Sequence, residues 1–404
     1  MIEPKVRFKA DDGSQFPDWE EKELGQILTE DLYPVKNPDG AYTKLAIRSH
    51  GKGTFDRHVE AGESLDVDKM FEVKANRLIL NITFAWELAI AITTNEDEGK
   101  LVSHRFPQYK ISGNIDFYKY RLINERMRYD LGVASPGGAG RNRVLNRSAF
   151  LKIKKYIPSL PEQQKIAEFL STVDTVIEKQ KETVSAWEER KKGVMQKLFS
   201  QEVRFKADDG SEFPEWEEKT FHEVIKLYRG SSPRPIVEYI VDDNQGLNWI
   251  KISDVPQNGN VITTVKEHIS KEGAEKSRAV YKGEIILSNS MSFGKPCILG
   301  IDGFIHDGWF VIREYEKYLN KWYLCQLLNS DIMYKQYRRL AAGGVVLNIS
   351  SEIVNSTKIP VPCLAEQQKI ADCLSSLDEV IEKQKATLAA WEELKKGLLQ
   401  QMFV

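Results

Sequence analysis

Cysteine is scarce in this 404-residue chain. The four present, Cys297, Cys325, Cys363 and Cys373, form no C-x-x-C pair. That excludes a disulfide framework or zinc ribbon and suits free thiols in a reducing compartment. The six histidines show no H-E-x-x-H or other metal spacing. The longest apolar stretch, Leu78–Ile92, is broken by Asn81, Thr83 and Glu87, too short and too polar to span a bilayer. The opening MIEPKVRFKADDG has no apolar signal core, so no secretory signal and a cytoplasmic location are expected. There is no Walker A sequence for ATP, no [DNS]-P-P-[YFW] tetrad and no glycine-rich cofactor fingerprint for a methyltransferase; Asn37-Pro38-Asp39 does not fit. Acidic residues are scattered, without the carboxylate–lysine cluster of a nuclease. The sequence offers no active site.

What it does offer is duplication. Glu162–Phe199 reads EQQKIAEFLSTVDTVIEKQKETVSAWEERKKGVMQKLF, and Glu366–Phe403 reads EQQKIADCLSSLDEVIEKQKATLAAWEELKKGLLQQMF. A shorter text is also doubled: VRFKADDGSQFPDWEEK from Val6 and VRFKADDGSEFPEWEEK from Val203. The long segments between the copies share little identity. A repeated frame around two unlike inserts points to two different readers held in one geometry.

The long repeat predicts a helix with a seam. Ile166, Val173, Gln180, Trp187 and Val194 recur every seven residues, with Leu170, Ile177, Val184, Lys191 and Leu198 as companions. The second copy repeats both columns as Ile370, Leu377, Gln384, Trp391, Leu398 and Leu374, Ile381, Leu388, Lys395, Met402. Alternating steps of three and four are a coiled-coil pattern. Pro158 and Pro161, and Pro360 and Pro362, mark the starts. Thirty-eight residues at 1.5 Å each make about 57 Å of helix. Each seam is expected to pack on the other, antiparallel, because that direction sets Gln180 opposite Gln384 and a polar pair in an apolar seam fixes register. It also sets Trp187 near Leu377 and Trp391 near Val173. The first arm then completes the second helix, making the chain pseudo-circular with a pseudo-twofold relation between its halves.

The expected fold class is α+β: two mixed α/β domains separated by two long helices in an antiparallel intramolecular coiled coil. The expected boundaries are an arm at 1–29, a first domain at 30–157, a first helix at 158–200, a second arm at 201–225, a second domain at 226–361 and a second helix at 362–404. Strands are predicted at Lys44–Arg48, Arg77–Ile82, Ala89–Thr93, Asn248–Ile252, Glu284–Ser288 and Cys297–Ile301. Helical text covers Asp116–Tyr129 and Lys317–Leu340. Each insert then reaches a glycine-rich loop and a short helix, Ser135–Phe150 and Ala341–Val354, with Ser148 or Asn146, and Ser350 or Asn348, as N-caps.

The net charge of −2 hides a division. Glu30–Lys155 holds 21 Lys/Arg against 16 Asp/Glu, and Lys226–Pro360 holds 17 against 14. The duplicated frame carries the remaining 19 against 29, so the inserts are mildly basic and the frame acidic. Turns rich in Arg, Lys, Asn, Ser and His supply the donors that base edges and phosphates need. The candidates are Arg48, His50, Lys52, Arg57, Arg105, Arg141, Asn142, Arg143 and Arg147 in the first insert. In the second they are Arg234, Lys251, Ser253, Asn289, Ser292, Lys295, His306, Arg338 and Arg339. The competing reading of each is a solvated loop residue, and of the glycine-rich loops a plain turn.

The run Ile157-Pro158-Ser159-Leu160-Pro161-Glu162-Gln163-Gln164-Lys165-Ile166-Ala167, and Ile359-Pro360-Val361-Pro362 leading into Glu366-Gln367-Gln368-Lys369-Ile370-Ala371, carry a resemblance. With the FP-x-W arms and two variable inserts, the whole chain resembles the specificity subunits of type I restriction–modification systems. Ala365 stands where the first copy has Pro161, which alters only the helix entry. The resemblance implies two target recognition domains, each reading one half of a split, asymmetric site in double-stranded DNA. It implies helices that act as spacer and as docking surface for two methyltransferase subunits, with motor-nuclease restriction subunits joining them. S-adenosylmethionine, ATP and magnesium would then belong to the partners, with no cofactor on this chain and no catalysis by it. Two other readings stay open: a coiled-coil adaptor with protein-binding domains, and an unrecognised nuclease or methyltransferase.

Overall fold

The computed structural model describes residues 4–61, 69–137, 143–242, 245–256, 259–289, 294–341 and 349–403. It falls into two compact units. One comprises Met1–Glu178 with Ala389–Val404, the other Lys179–Leu388. The long helices, Leu160–Phe199 and Leu364–Met402, each contribute a segment to both units. They begin at equivalent residues, so Ala365 in place of Pro161 leaves the helix entry unchanged.

In the first unit, strands Leu28–Glu30, Gln108–Ile111, Leu78–Leu80 and Ile90–Ile92 form a four-stranded sheet in that order. Pro34–Val35, Met70–Glu72, Leu101–Ser103, Tyr42–Ile47 and Thr54–Val59 form a five-stranded one. Aromatic and aliphatic residues of the first sheet pack with Phe117, Phe150, Ile166, Leu170, Met402 and Phe403. In the second unit, one five-stranded sheet runs Lys226–Arg229, Trp309–Arg313, Ile285–Ser288, Pro296–Leu299, Val261–Ile262. The other runs Ile240–Val241, Glu267–Ile269, Leu247–Ile250, Gly303–Ile305, Arg278–Val280. The former packs on Leu198, Phe199, Tyr323, Ile370 and Leu374.

Every predicted strand exists, with ends shifted by at most two residues, three of the six starting earlier than predicted. The two predicted helical stretches each break into a pair: Ile115–Leu122 with Glu125–Val133, and Lys321–Leu328 with Asp331–Ala341. Asn124 causes the first break. Its side-chain oxygen caps Met127 N–H while its amide donates to the carbonyls of Tyr120 and Arg121, closing one helix and opening the next. The third-helix caps are Asn146, accepting from Ala149 N–H, and Ser350, accepting from Ile353 N–H. Ser148 therefore lies inside its helix, and Asn348 lies outside the described residues.

The duplicated Glu-Gln-Gln-Lys has a physical role at each position. Glu162 is fully buried and accepts from Arg7 of the arm at 3.2 and 3.0 Å. Glu366 is equally buried and accepts from Arg204 at 3.1 and 2.9 Å and from Trp216 Nε1 at 2.8 Å. Trp19, the counterpart of Trp216, has its Nε1 buried without a partner. Gln163 accepts from Asn114 N–H, and Gln367 from Asn320 N–H, at the start of each insert's first late helix. Gln164 and Gln368 accept from those asparagines' side chains. Lys165 and Lys369 donate to the arm carbonyls of Lys9 and Lys206. The frame thus grips both an arm and an insert through one tetrapeptide.

Each insert is closed at its neck. Glu20–Glu23 pairs antiparallel with Lys154–Ile157, and Glu217–Thr220 with Lys358–Val361. Entry and exit strands lie side by side next to the buried glutamate, so the residues between them vary without moving the frame.

The helices run antiparallel in both units. In the second, Gln180 Nε2 donates to Gln384 Oε1 at 2.7 Å, Lys191 pairs with Asp378 and Lys385 with Glu188. In the first, Lys395 pairs with Asp174 at 2.5 Å. Ile166, Leu170, Val173, Ile177, Val184, Ile370, Leu374 and Ile381 are buried; Gln180, Trp187, Leu377, Gln384, Leu388 and Trp391 are half-buried. Lys5 N–H donates to Gln401 O at 2.9 Å, so the first arm does close onto the end of the second helix.

Arg204→Ala leaves Glu366 buried and without its cation, which costs about 3–5 kcal/mol. Urea denaturation is expected to show that loss, and an unshifted midpoint contradicts it. Gln180→Leu alone strands the Gln384 amide and is expected to cost about 1 kcal/mol. Adding Gln384→Leu is expected to restore most of that stability in the same assay.

Candidate nucleic-acid interface

In the first unit, strands Tyr42–Ile47 and Thr54–Val59 form an antiparallel hairpin whose outer strand is a sheet edge. Its outer positions Phe55, Asp56, Arg57 and His58 are all exposed. The connecting turn carries Arg48, His50 and Lys52. Arg48 donates to Thr54 O and lies 4.9 Å from the Phe55 ring, which holds its guanidinium over the ribbon. His50 N–H donates to Glu87 O at 2.7 Å. Gly51, at φ 65°, is pressed so close that a Cβ would meet Ile123 at 2.6 Å. A bulkier residue there would lift the turn off its base. An exposed two-stranded ribbon with cations at its tip has the width to enter a DNA major groove.

Other first-insert candidates behave differently. Arg105 is exposed. Arg143 turns inward, donating to the carbonyls of Gly132 and Ser135 and lying 5.5 Å from Trp86, so it ties the end of the Glu125–Val133 helix to its own backbone. Arg147 is tied to Glu30 at 2.8 Å and to His104 O at 2.9 Å. Arg141 and Asn142 lie outside the described residues.

In the second unit, three loops far apart in sequence converge. Gly230 N–H donates to Trp309 O and Ser231 N–H to Ile305 O. Ser232 Oγ donates to Asp307 Oδ1 at 3.0 Å, and Arg234 Nη2 to Asp307 Oδ2 at 3.1 Å. Asn289 Nδ2 donates to Asp307 O at 2.8 Å, and Asn289 N–H to Gly308 O. Asn289 is buried, so among the candidates it holds the loops together and does not face solvent. His306 is largely buried beside them. Burial lowers its pKa, against the pull of Asp307, and keeps the ring neutral at pH 7. For Asp307, partial burial would raise the carboxyl pKa, but the Ser232 hydroxyl and, at the low pH where the carboxyl titrates, a protonated His306 outweigh it and hold it below the usual range.

Lys251 is paired with Glu267 in a cleft that His306 and Asp307 also line, and Ser253 is exposed. Lys295 is half-buried, its N–H bound to Ser288 Oγ. Arg338 and Arg339 are exposed on the last turn of their helix. Ser292 lies outside the described residues. The sequence offers Ile47–His58, Arg229–Pro235 and Ile305–Trp309 as polar turns, but Phe55, His58, Ser232 and Asp307 within them were not among the individual candidates. The period-two run of the hairpin was a usable signal for the first pair. Asp307 carried none, since its partners are more than seventy residues away.

Among the described residues no three His, Cys, Asp or Glu side chains are placed to hold a metal ion, and no helix is long and apolar enough to cross a membrane.

Residues 18–185 and 214–390 each match the model of the type I restriction modification DNA specificity domain. The type I restriction enzyme MjaVIII specificity subunit of Methanocaldococcus jannaschii is 28% identical over 272 residues, covering 63% of this chain and 62% of that protein. The EcoKI specificity subunit of Escherichia coli is 26% identical over 187 residues, covering 44% and 39%. The chain thus aligns with less than two thirds of these relatives' length. A chain from a structural study of complex assembly and conformational transition in a type I R-M system superposes with a TM-score of 0.62 at 17% identity, over 96% of this chain and 98% of that one. The S subunit of M. genitalium superposes with a TM-score of 0.53 at 13% identity, over 100% and 99%. Both share the fold. With a matched domain in each half of its sequence, the chain belongs to the family of type I restriction modification DNA specificity domains.

Proposed function

We propose that this chain is the non-catalytic DNA-recognition subunit of a cytoplasmic type I restriction–modification complex, reading a split asymmetric site in double-stranded DNA with one half per unit. One observation carries the reading. The frame is repeated nearly residue for residue, down to the buried Arg–Glu clamp, while the inserts it closes present unlike sets of loop donors. Identical mountings with dissimilar readers favour unlike half-sites. Bivalency lets each mildly basic insert bind modestly, because the second half engages at high effective concentration. Helices of this length suit a spacer between the halves.

The frame also offers matched docking grooves. In the second unit Glu188, Lys191, Lys192, Met195, Gln196 and Phe199 line a groove with residues 329–332 and Lys335. In the first, Glu392, Lys395, Lys396, Leu399, Gln400 and Phe403 line its counterpart with residues 123–126, His50 and Leu88. Two equivalent surfaces suit two copies of one partner, as two methyltransferase subunits would be. S-adenosylmethionine, ATP and magnesium are assigned to those subunits and to the restriction subunits.

Replacing residues 30–155 with an unrelated insert of this family is expected to change one half of the methylated motif and leave the other intact, read by sequencing modified adenines in cells expressing the methyltransferase. A change in both halves contradicts the modular reading. The purified chain with S-adenosylmethionine and DNA is expected to transfer no methyl group; turnover would make it an enzyme. Absence of salt-dependent DNA binding in the assembled complex would favour the adaptor reading.

A further inference from the structure

We propose that Arg234 reads a guanine in the half-site assigned to the second unit, and that Asp307 aims it. The proposal rests on the DNA-recognition reading above and names a residue and a base class within it.

Arg234 is flanked by Pro233 and Pro235, whose rings fix the backbone φ on either side. Its side chain is 81% exposed at the lip of a cleft that also contains Trp249, Lys251, His306 and Asp307. An arginine this exposed ordinarily samples many rotamers. Here Nη2 is held 3.1 Å from Asp307 Oδ2, and the carboxylate is itself immobilised. Ser232 Oγ holds its other oxygen, and Asn289 Nδ2 and Arg229 Nε hold its backbone carbonyl at 2.8 and 3.2 Å.

The mounting has no slack. A Cβ on Gly230 would lie 2.0 Å from His306 O, and one on Gly308 would lie 2.2 Å from the His306 ring. Two surface loops packed to that tolerance around a largely buried imidazole hold the guanidinium in a set direction. An exposed Arg–carboxylate pair adds little to folding stability, so stability alone gives no reason for such fixation. Orientation of the remaining donors does.

Charge decides between phosphate and base. Asp307 stays ionised and neutralises Arg234 locally, which weakens attraction to a phosphate and repels it at short range. Hydrogen-bond direction survives that neutralisation. Nη1 and the second Nη2 proton make no hydrogen bond to Asp307 and remain as donors for O6 and N7 of guanine.

The test uses the complex assembled with its methyltransferase partners and a cognate duplex, with single-base changes across both halves. Arg234→Ala is expected to weaken cognate binding about 10- to 100-fold and abolish discrimination at one guanine only. Arg234→Lys is expected to behave like Arg234→Ala, since an ammonium lacks the fork. Asp307→Asn is expected to relax the same position. Rescue by lysine, or a uniform loss on every duplex, would make Arg234 a phosphate contact and overturn the proposal. So would retained discrimination in Arg234→Ala. A wild-type complex that prefers no site would overturn the DNA-recognition reading itself and the proposal with it. Because Arg234 is exposed, its variants should melt with the wild type, and a shifted melt would assign it a structural role instead.

Discussion

A carboxylate buried at the first turn of each long helix, held by an arginine from the arm, is the constraint on which the rest depends. Glu162 and Glu366 have no solvent exposure, so neither tolerates loss of its cation. Satisfying them fixes where the arm lies. The arm leads into the neck strand, and the neck strand fixes where the insert leaves and rejoins the frame. The following Gln-Gln-Lys adds grips on Asn114 or Asn320 and on the arm carbonyls. Buried ion pairs are poor sources of net stability, but they penalise every misplaced arrangement heavily. That penalty makes the frame specific while its contents differ.

The helices and their direction were legible in the sequence because the signal is local. A seven-residue repeat lies along the chain, and a central glutamine in each copy predicts which direction satisfies both. The α+β class followed from that repeat together with short β-like runs in the inserts. The breaks within the late helices were less legible, since nothing in Asp116–Tyr129 marks Asn124 as a cap until its amide is seen reaching back to Tyr120 and Arg121. Candidate loops were recognisable by composition, but their division of labour was not. Asn289, Arg143 and Arg234 look alike as polar loop residues, yet Asn289 and Arg143 hold backbone together while Arg234 is largely exposed. The grouping of residues 229–235, 289 and 305–309 depends on strand order in a sheet, which periodicity does not encode.

The units solve one problem with different materials. The first presents an edge ribbon, with Arg48 laid against Phe55 and a turn seated by Gly51. The second presents interlocked loops around His306 and Asp307. In each, a cation is tied to its own loops: Arg48 bonds Thr54 O, and Arg234 bonds Asp307. Their unlike shapes follow from the unlike inserts, and the like mountings from the duplicated frame.

The most direct test of two dissimilar readers on one repeated frame is the sequence motif modified in cells that carry this chain with the proposed methyltransferase partner, compared with cells lacking it. A single motif of two unlike halves separated by unspecified bases, lost when the chain is absent, is the expected result. A contiguous motif, a palindrome, or a pattern indifferent to the chain would contradict it.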